Sequence, residues 1–194
     1  MLRLAPVKTY GSAAAPLQGG HAQVRTARAL LVPARVAAAE CAQLLGEDGV
    51  PKRIDSFAMA IQMGCTVYEL EEVELSYAPP FGSAKDPVNF AGMVAADILR
   101  GDMPVCHWDS MDSGVLLDVR NGPELAVESL PGAVNIPLPE LRARLGELPR
   151  DHEIHVFCRS GQRSYYATRV LLQNGFTARN IAGGMLTHSM RSEG

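Results

Sequence analysis

The sequence is short of aromatic residues, of long hydrophobic runs and of surplus charge. Aromatic side chains make up 6% of the 194 residues, and the formal net charge is −3 at pH 7. A chain so close to neutrality offers no broad basic surface for nucleic acid. No apolar stretch reaches the roughly 18 residues that a membrane-spanning helix needs, and the apolar run near the N-terminus is too short and too late for a secretory signal. We therefore predict no binding to nucleic acid or membrane.

Paired cysteines and nucleotide-binding motifs are also missing. The cysteines lie far apart, without a CxxC pair or the spacing of metal ligands, which favours a reducing, cytoplasmic setting over a disulfide framework. No GxGxxG motif follows an N-terminal strand, so no dinucleotide-binding domain is predicted. The histidines His107, His152 and His155 do not form a ligand set, and no metal site is predicted.

Three zones of the sequence differ in pattern. Residues 1–40 are rich in Ala, Gly, Pro and Arg with little periodicity, and we expect a poorly ordered extension. Residues 41–101 carry helix signals, among them a capping box at Thr66–Glu69 and a helix start at Asp86–Pro87. Residues 103–194 alternate strand and helix signals, which is typical of a parallel sheet with flanking helices. The predicted fold class is therefore α/β, preceded by a mainly helical zone.

The most informative segment is Cys-Arg-Ser-Gly-Gln-Arg-Ser, residues 158–164. An apolar run, 154–157, leads into it as a strand, and a helical run leads out. Backbone N–H groups converge at such a junction and, together with the helix dipole, stabilise a thiolate and a bound anion. A free cysteine has a pKa of about 8.5, and such surroundings lower it. Cys158 is therefore predicted to be a nucleophile; the alternative is a buried, inert cysteine.

Four segments of the third zone resemble a rhodanese domain, which is a sulfurtransferase module. These segments are Leu116–Arg120, Leu130–Leu138, the loop from Cys158 and Asn180–Gly184. They stand in the family's order and cover nearly all of residues 105–185. Four residues separate Cys158 from Arg163, whereas the similar cysteine phosphatases have a wider Cys-x5-Arg loop. The resemblance implies a rhodanese-like parallel sheet and sulfur transfer rather than phosphate-ester chemistry.

The resemblance also implies a role for the loop residues. Cys158 attacks a small anionic sulfur donor, thiosulfate or a persulfide, carries the sulfur as a persulfide and passes it to a thiol acceptor. The implied anion-binding residues are Arg159, Ser160, Gly161, Gln162, Arg163 and Ser164. Their backbone N–H groups stabilise the anionic persulfide, and the arginine side chains attract the donor.

Two residues at the end of an earlier strand have supporting roles in this interpretation. By the resemblance, Asp118 orients the loop and accepts hydrogen bonds from backbone or arginine. The alternative is that Asp118 caps the turn over residues 121–128. Arg120 either lines the pocket or is solvated.

The middle zone resembles the end of the dimerisation domain of pyridine nucleotide–disulfide oxidoreductases, particularly coenzyme A-disulfide reductases and related NADH oxidases. The segments that carry this resemblance are Lys52–Asp55, Thr66–Leu70 and Tyr77–Asn89, and the match begins near residue 42. Some of those enzymes have a C-terminal rhodanese domain. The resemblance implies a homodimer, with Tyr77 and Lys85 at interface positions. It implies FAD, NAD(P)H and coenzyme A for the full-length relative and no cofactor within this chain.

The leading hypothesis is a rhodanese-type sulfurtransferase that carries sulfane sulfur on Cys158, within a truncated FAD-dependent reductase. The alternative is a non-catalytic dimerisation or interaction fragment that depends on missing flavin domains. In that case Cys158 is inert or only senses redox state. Half a dimerisation domain exposes apolar helices, so residues 41–101 are expected to associate or to be cleaved first by proteases.

Overall fold

The computed structural model describes residues 7–9, 26–31, 39–45, 50–76, 78, 84–109, 111 and 113–192. The chain divides into two compact units, Met1–Arg100 and Gly101–Gly194. Each unit is described by itself. Within the described part of the chain, no helix combines the length and apolar character needed to cross a membrane.

The first unit begins with three antiparallel strands in the order β1-β2-β3: Val7–Thr9, Thr26–Leu31 and Ala39–Leu45. The structure differs here from the prediction of a poorly ordered extension over residues 1–40. The zone from residue 41 is mainly helical, as predicted, apart from the part of β3 that it contains. The Ala- and Arg-rich sequence has no periodicity, and the strands are paired with segments remote in sequence, so a local pattern could not reveal them.

Three helices complete the first unit: α1, Val50–Gln62; α2, Val67–Glu72; and α3, Pro87–Arg100. The predicted capping box is present at α2, because the Glu69 N–H donates to Thr66 Oγ1 at 3.2 Å and the Thr66 N–H donates to Glu69 Oε2 at 2.6 Å. The α3 helix packs closely on α2 at Gly92, where an added Cβ would overlap the α2 backbone. The core of this unit contains Phe57, Ala60, Val67, Leu70, Val88, Ala91, Ala95 and Ala96.

The second unit is built on a five-stranded parallel sheet, which confirms the predicted α/β class. Its strands are β4, Val105–Cys106; β5, Val115–Asp118; β6, Val134–Asn135; β7, Ile154–Phe157; and β8, Ala178–Ile181. They run in the order β4-β8-β7-β5-β6, so β7 is the middle strand. All four residues of β7 are buried, as expected for a strand covered on both faces.

The helices of this unit are α4, Gly122–Val127; α5, Gln162–Gln173; and α6, Gly184–Ser192. Between β6 and β7 the chain forms two short 3₁₀ turns, Leu138–Glu140 and Leu145–Glu147. A proline at the second position of the first turn and a glycine in the second turn shorten the helical runs. The sequence analysis missed β4 and α6.

Candidate active site

Cys158 lies directly after the middle strand β7 and three residues before Gly161, the N-cap of α5. The carboxyl ends of parallel strands are where such sheets place their binding crevice. The residue is only 1% exposed. Its neighbour Phe157 pairs in register with Asp118 at the end of β5. The topology therefore brings the Cys158 loop and the segment after β5 to one edge of the sheet.

Two hydrogen-bond donors face the Cys158 sulfur. The Gly161 backbone N–H donates to Sγ at 3.2 Å, and the Ser164 hydroxyl lies 3.5 Å from Sγ and 3.0 Å from Gly161 O. Gly161 has φ +106°, a backbone conformation that residues other than glycine rarely adopt. This backbone turn aims the N–H at the sulfur, and donors of this kind stabilise a negative charge on it.

The N-terminus of α6 holds the backbone of the loop. The Met185 N–H donates to Cys158 O and the Leu186 N–H donates to Arg159 O, both at 2.9 Å. Gly184 approaches so closely that an added Cβ would overlap Cys158 O. The Trp108 Nε1–H donates to Gly184 O at 3.0 Å and the indole packs against Phe157, so this contact is supported from the other side. The loop is therefore fixed by an element that the sequence analysis did not predict.

Arg163 forms a two-point ion pair with Glu124 of α4. Its Nη1 and Nη2 lie 2.6 and 2.7 Å from the two carboxylate oxygens. The hydrogen bonds from Arg163 lower the pKa of Glu124 to about 2. The pKa of Arg163 is raised mainly by Glu124 and further by the Cys158 sulfur. The predicted anion-binding arginine thus lies beside the cysteine but is paired with a carboxylate.

Glu124 is the site residue that the sequence analysis missed. It occupies the third position of α4, where its carboxylate also accepts a hydrogen bond from the Asn121 N–H at 3.2 Å. A capping glutamate is a local signal, and that signal predicts only a helix start. The partner Arg163 is 39 residues away in sequence, so the second role could not be inferred locally.

Asp118 and Arg120 form a buried ion pair next to the loop. The Asp118 carboxylate accepts hydrogen bonds from the Arg120 backbone N–H at 2.9 Å and from Nη2 at 2.7 Å. Nη2 also donates to Glu128 O, and the guanidinium lies 5.9 Å from the centroid of the Phe157 ring. Arg120 is 3% exposed, so the alternative of a solvated side chain is wrong. The pair stabilises the segment between β5 and α4.

The other residues named from the sequence are more peripheral. Arg159 and Gln162 are exposed, and Ser160 is half-buried in the same loop. Lys85 is exposed on the first unit, and Tyr77 lies outside the described residues. Among the described residues, no group of three His, Cys, Asp or Glu side chains could hold a metal ion.

Comparison with known proteins agrees with this geometry. The model of the rhodanese-like domain matches residues 104–187. A sulfurtransferase from Allochromatium vinosum is 36% identical over 73 residues, which cover 37% of this chain and 68% of that relative. The chain belongs to the rhodanese-like family. The predicted rhodanese resemblance is thereby confirmed.

Two solved structures resemble the chain beyond its rhodanese-like domain. Reduced CoADR-RHD from Bacillus anthracis superposes with a TM-score of 0.77 and 41% identity, covering 82% of this chain and 29% of that one. An NAD-dependent persulfide reductase from A. fulgidus superposes with a TM-score of 0.73 and 35% identity, covering 93% of this chain and 32% of that one. The chain thus spans about a third of each. The predicted relation to coenzyme A-disulfide reductases is confirmed.

Proposed function

We propose that Cys158 is the nucleophile of a sulfurtransferase and carries sulfane sulfur as a persulfide. The observation that carries this proposal is the pair of donors, the Gly161 N–H and the Ser164 hydroxyl, aimed at a cysteine in the family's loop. Such donors act on the charge of the sulfur without rearranging during the reaction.

The first half-reaction moves one neutral sulfur atom. The Cys158 thiolate attacks the outer sulfur of a persulfide R–S–SH, the S–S bond of the donor breaks, and R–S⁻ leaves. Cys158 becomes Cys–S–SH, so the cysteine is oxidised and the donor is reduced. With thiosulfate the same attack releases sulfite and leaves Cys–S–S⁻.

The second half-reaction returns the cysteine to its starting state. An acceptor thiolate attacks the outer sulfur of the Cys158 persulfide, and the bond between the two sulfurs of Cys158 breaks. The acceptor leaves as its own persulfide and Cys158 leaves as a thiolate. The donors at Gly161 and Ser164 stabilise this leaving group because they already point at Sγ.

The cradle for the anion is proposed to be the loop backbone of residues 159–164, with Arg159, Gln162 and Ser160 at its exposed side. Asp118 and Arg120 support it through the segment after β5. In a longer relative of this chain, the acceptor would be a flavin-linked disulfide centre, and FAD, NAD(P)H and coenzyme A would be bound outside this chain. We also propose a cytoplasmic location for the protein.

The first unit supports a second proposal, that this chain forms a homodimer. Its helices expose large apolar side chains, with Met59 56% and Phe90 52% exposed. Apolar surface of this kind is typical of an interface. We propose Lys85 as an interface residue, together with Tyr77, which lies outside the described residues. Sedimentation of the chain and of Phe90→Glu tests this proposal: a dimer that the substitution dissociates supports it, and a monomer at all concentrations contradicts it.

Sulfur transfer by the whole chain tests the catalytic proposal. Transfer from thiosulfate to cyanide and from a persulfide to a thiol is expected from the parent and from Cys106→Ser, and not from Cys158→Ala. Absence of transfer by a folded parent with both donors would favour the alternative, a non-catalytic interaction fragment.

A further inference from the structure

The Arg163–Glu124 pair controls how much positive charge the loop presents. Both oxygens of the carboxylate are engaged by the two terminal nitrogens of the guanidinium, in the fork geometry that is strongest for this kind of pair. About a third of each side chain is exposed, so solvent reaches the pair without separating it. Glu124 is ionised at neutral pH, since its pKa lies at about 2.

A second cation near the loop, the buried Arg120, is neutralised in the same way. Arg120 is matched by Asp118 at 2.7 Å, with both side chains almost fully buried. Arg159 is exposed, and the charge of an exposed side chain is screened by water and salt. A further carboxylate, Glu128, lies at the end of α4 and accepts a hydrogen bond from the Ser189 hydroxyl. Two of the three arginines around the Cys158 loop are therefore matched by carboxylates, and the third is exposed.

Sulfur donors differ in the charge that they bring to such a site. Thiosulfate carries two negative charges on a small ion, whereas the reacting end of a persulfide carries at most one. A neutralised arginine attracts the second charge of thiosulfate weakly, and the carboxylate beside it repels that charge. The cost of this repulsion rises with the charge of the donor.

We propose that Glu124 is a positioning residue that sets donor specificity: it holds Arg163 beside Cys158 and offsets its charge, so that the site prefers persulfides to dianionic thiosulfate. This inference rests on the proposed function of Cys158. It assigns to Glu124 a role in choosing the donor, and the chemistry at the sulfur remains that of Cys158.

The test compares rates of sulfur loading with thiosulfate and with 2-hydroxyethyl persulfide, a donor without other charged groups. The added sulfur is counted on the intact chain by mass spectrometry. Glu124→Gln removes the carboxylate charge, and we expect the ratio of thiosulfate to persulfide rates to rise about fivefold or more at low ionic strength. The increase should shrink at about 1 M salt, because screening weakens it.

Two variants separate charge from packing. Glu124→Asp keeps the charge near Arg163 and should keep the ratio of the parent. Glu147→Gln removes an equivalent carboxylate from the exposed Arg144 pair and should also leave the ratio unchanged. A fall in both rates by the same factor in Glu124→Gln would mean that Glu124 acts only on structure, and would overturn the inference.

The outcomes distinguish this inference from the proposed function. A folded parent that takes no sulfur from either donor contradicts the function of Cys158. A parent that loads sulfur, with the same donor ratio in Glu124→Gln, contradicts only the role of Glu124. If Glu124→Gln does not fold, the dependence of the parent's thiosulfate loading rate on salt concentration tests the inference instead. We expect its thiosulfate rate to change less than about twofold between low and high salt, and a steep fall would overturn the inference.

Discussion

Cys106 and Cys158 lie at the carboxyl ends of two strands of the same parallel sheet, yet their surroundings are opposite. Both are buried, at 3% and 1% exposure. Cys106 ends an edge strand, and burial raises the pKa of its thiol to about 12. Its sulfur lies 3.9 Å from Asn180 O, an acceptor that can serve only the protonated thiol. Cys158 instead receives hydrogen bonds from donors. Burial alone favours the neutral thiol, whereas facing donors favour the negative charge that the proposed nucleophile needs.

The chain that follows each cysteine explains this difference. After Cys158 comes a three-residue turn that ends at Gly161 and begins α5, so the Gly161 N–H points back at the sulfur. After Cys106 comes a segment that leads to Trp108, which packs on the same apolar cluster. The two strand ends therefore differ in whether the next turn supplies a donor to the sulfur.

The largest expected difference between the two cysteines is in alkylation by iodoacetamide. At pH 7 only about one Cys106 in 10⁵ is ionised, because its pKa is about 12. We expect Cys158 to be modified at pH 6 at least about 100-fold faster than Cys106. Cys106 should gain reactivity only as the pH approaches 12. Peptide mapping of the alkylated chain checks this, with the half-buried Cys65 as reference. Equal alkylation rates at Cys65, Cys106 and Cys158 would contradict the predicted difference between the two buried cysteines.

The next largest effect concerns the contact that holds the Cys158 loop. Gly184→Ala places a Cβ against Cys158 O at a residue with φ +50°, so the loop must shift. A shift of about 1 Å at a reacting group costs roughly 100-fold in rate, and we expect sulfur transfer to fall by that factor. Gly146→Ala is the matched control, since no atom lies within 4 Å of its added Cβ. Retention of full activity in Gly184→Ala would show that the loop does not depend on α6.

A smaller effect is expected when one donor to Cys158 is removed. Ser164→Ala deletes the hydroxyl 3.5 Å from Sγ, and we expect sulfur loading to slow about tenfold, the value of one hydrogen bond to a charged group. Thr168→Val is the control one helical turn later. Its buried hydroxyl has no hydrogen-bond partner among the described residues, so loading should not change. Equal loading rates in Ser164→Ala and Thr168→Val would mean that the Gly161 N–H, and not the Ser164 hydroxyl, is the hydrogen-bond donor that matters.

The smallest effect is on stability. The pKa of Glu124 is lowered to about 2 in the folded chain, so the pair stabilises the fold above the unfolded value of 4.5 and loses this contribution as the pH falls toward 2. For a partly exposed pair we expect about 1 kcal/mol. Urea unfolding of the parent and Glu124→Gln should therefore differ at pH 7 and converge near pH 2. A constant difference across this range would assign the effect to packing.

The same contrast between local and remote contacts explains how far the sequence could predict the structure. The sheet of the second unit, the capping box at Thr66 and the loop from Cys158 to Ser164 were predictable because each leaves a local pattern. The strands β1 and β2 were not, since β1 has only three residues, β2 lies in an alanine- and arginine-rich stretch without a strand pattern, and both depend on pairing across the sheet.

Within the site, the missed features are those formed between distant segments. Glu124 meets Arg163 across 39 residues, and the backbone of α6 meets Cys158 only after the sheet has formed. The sequence could not decide whether Arg120 lines the pocket or is solvated, because it does not show that Arg120 forms a buried ion pair with Asp118. Such long-range contacts have no signature in spacing or composition.

The most direct measurement is the mass of the Cys158 and Cys106 peptides after one exposure of the chain to a persulfide donor, followed by blocking of free thiols. We expect one added sulfur on the Cys158 peptide, none on the Cys106 peptide, and loss of that sulfur when an acceptor thiol is added before blocking. Sulfur on both cysteines, or a Cys158 peptide that stays unmodified in a folded chain, would contradict the assignment of Cys158 as the sulfur carrier.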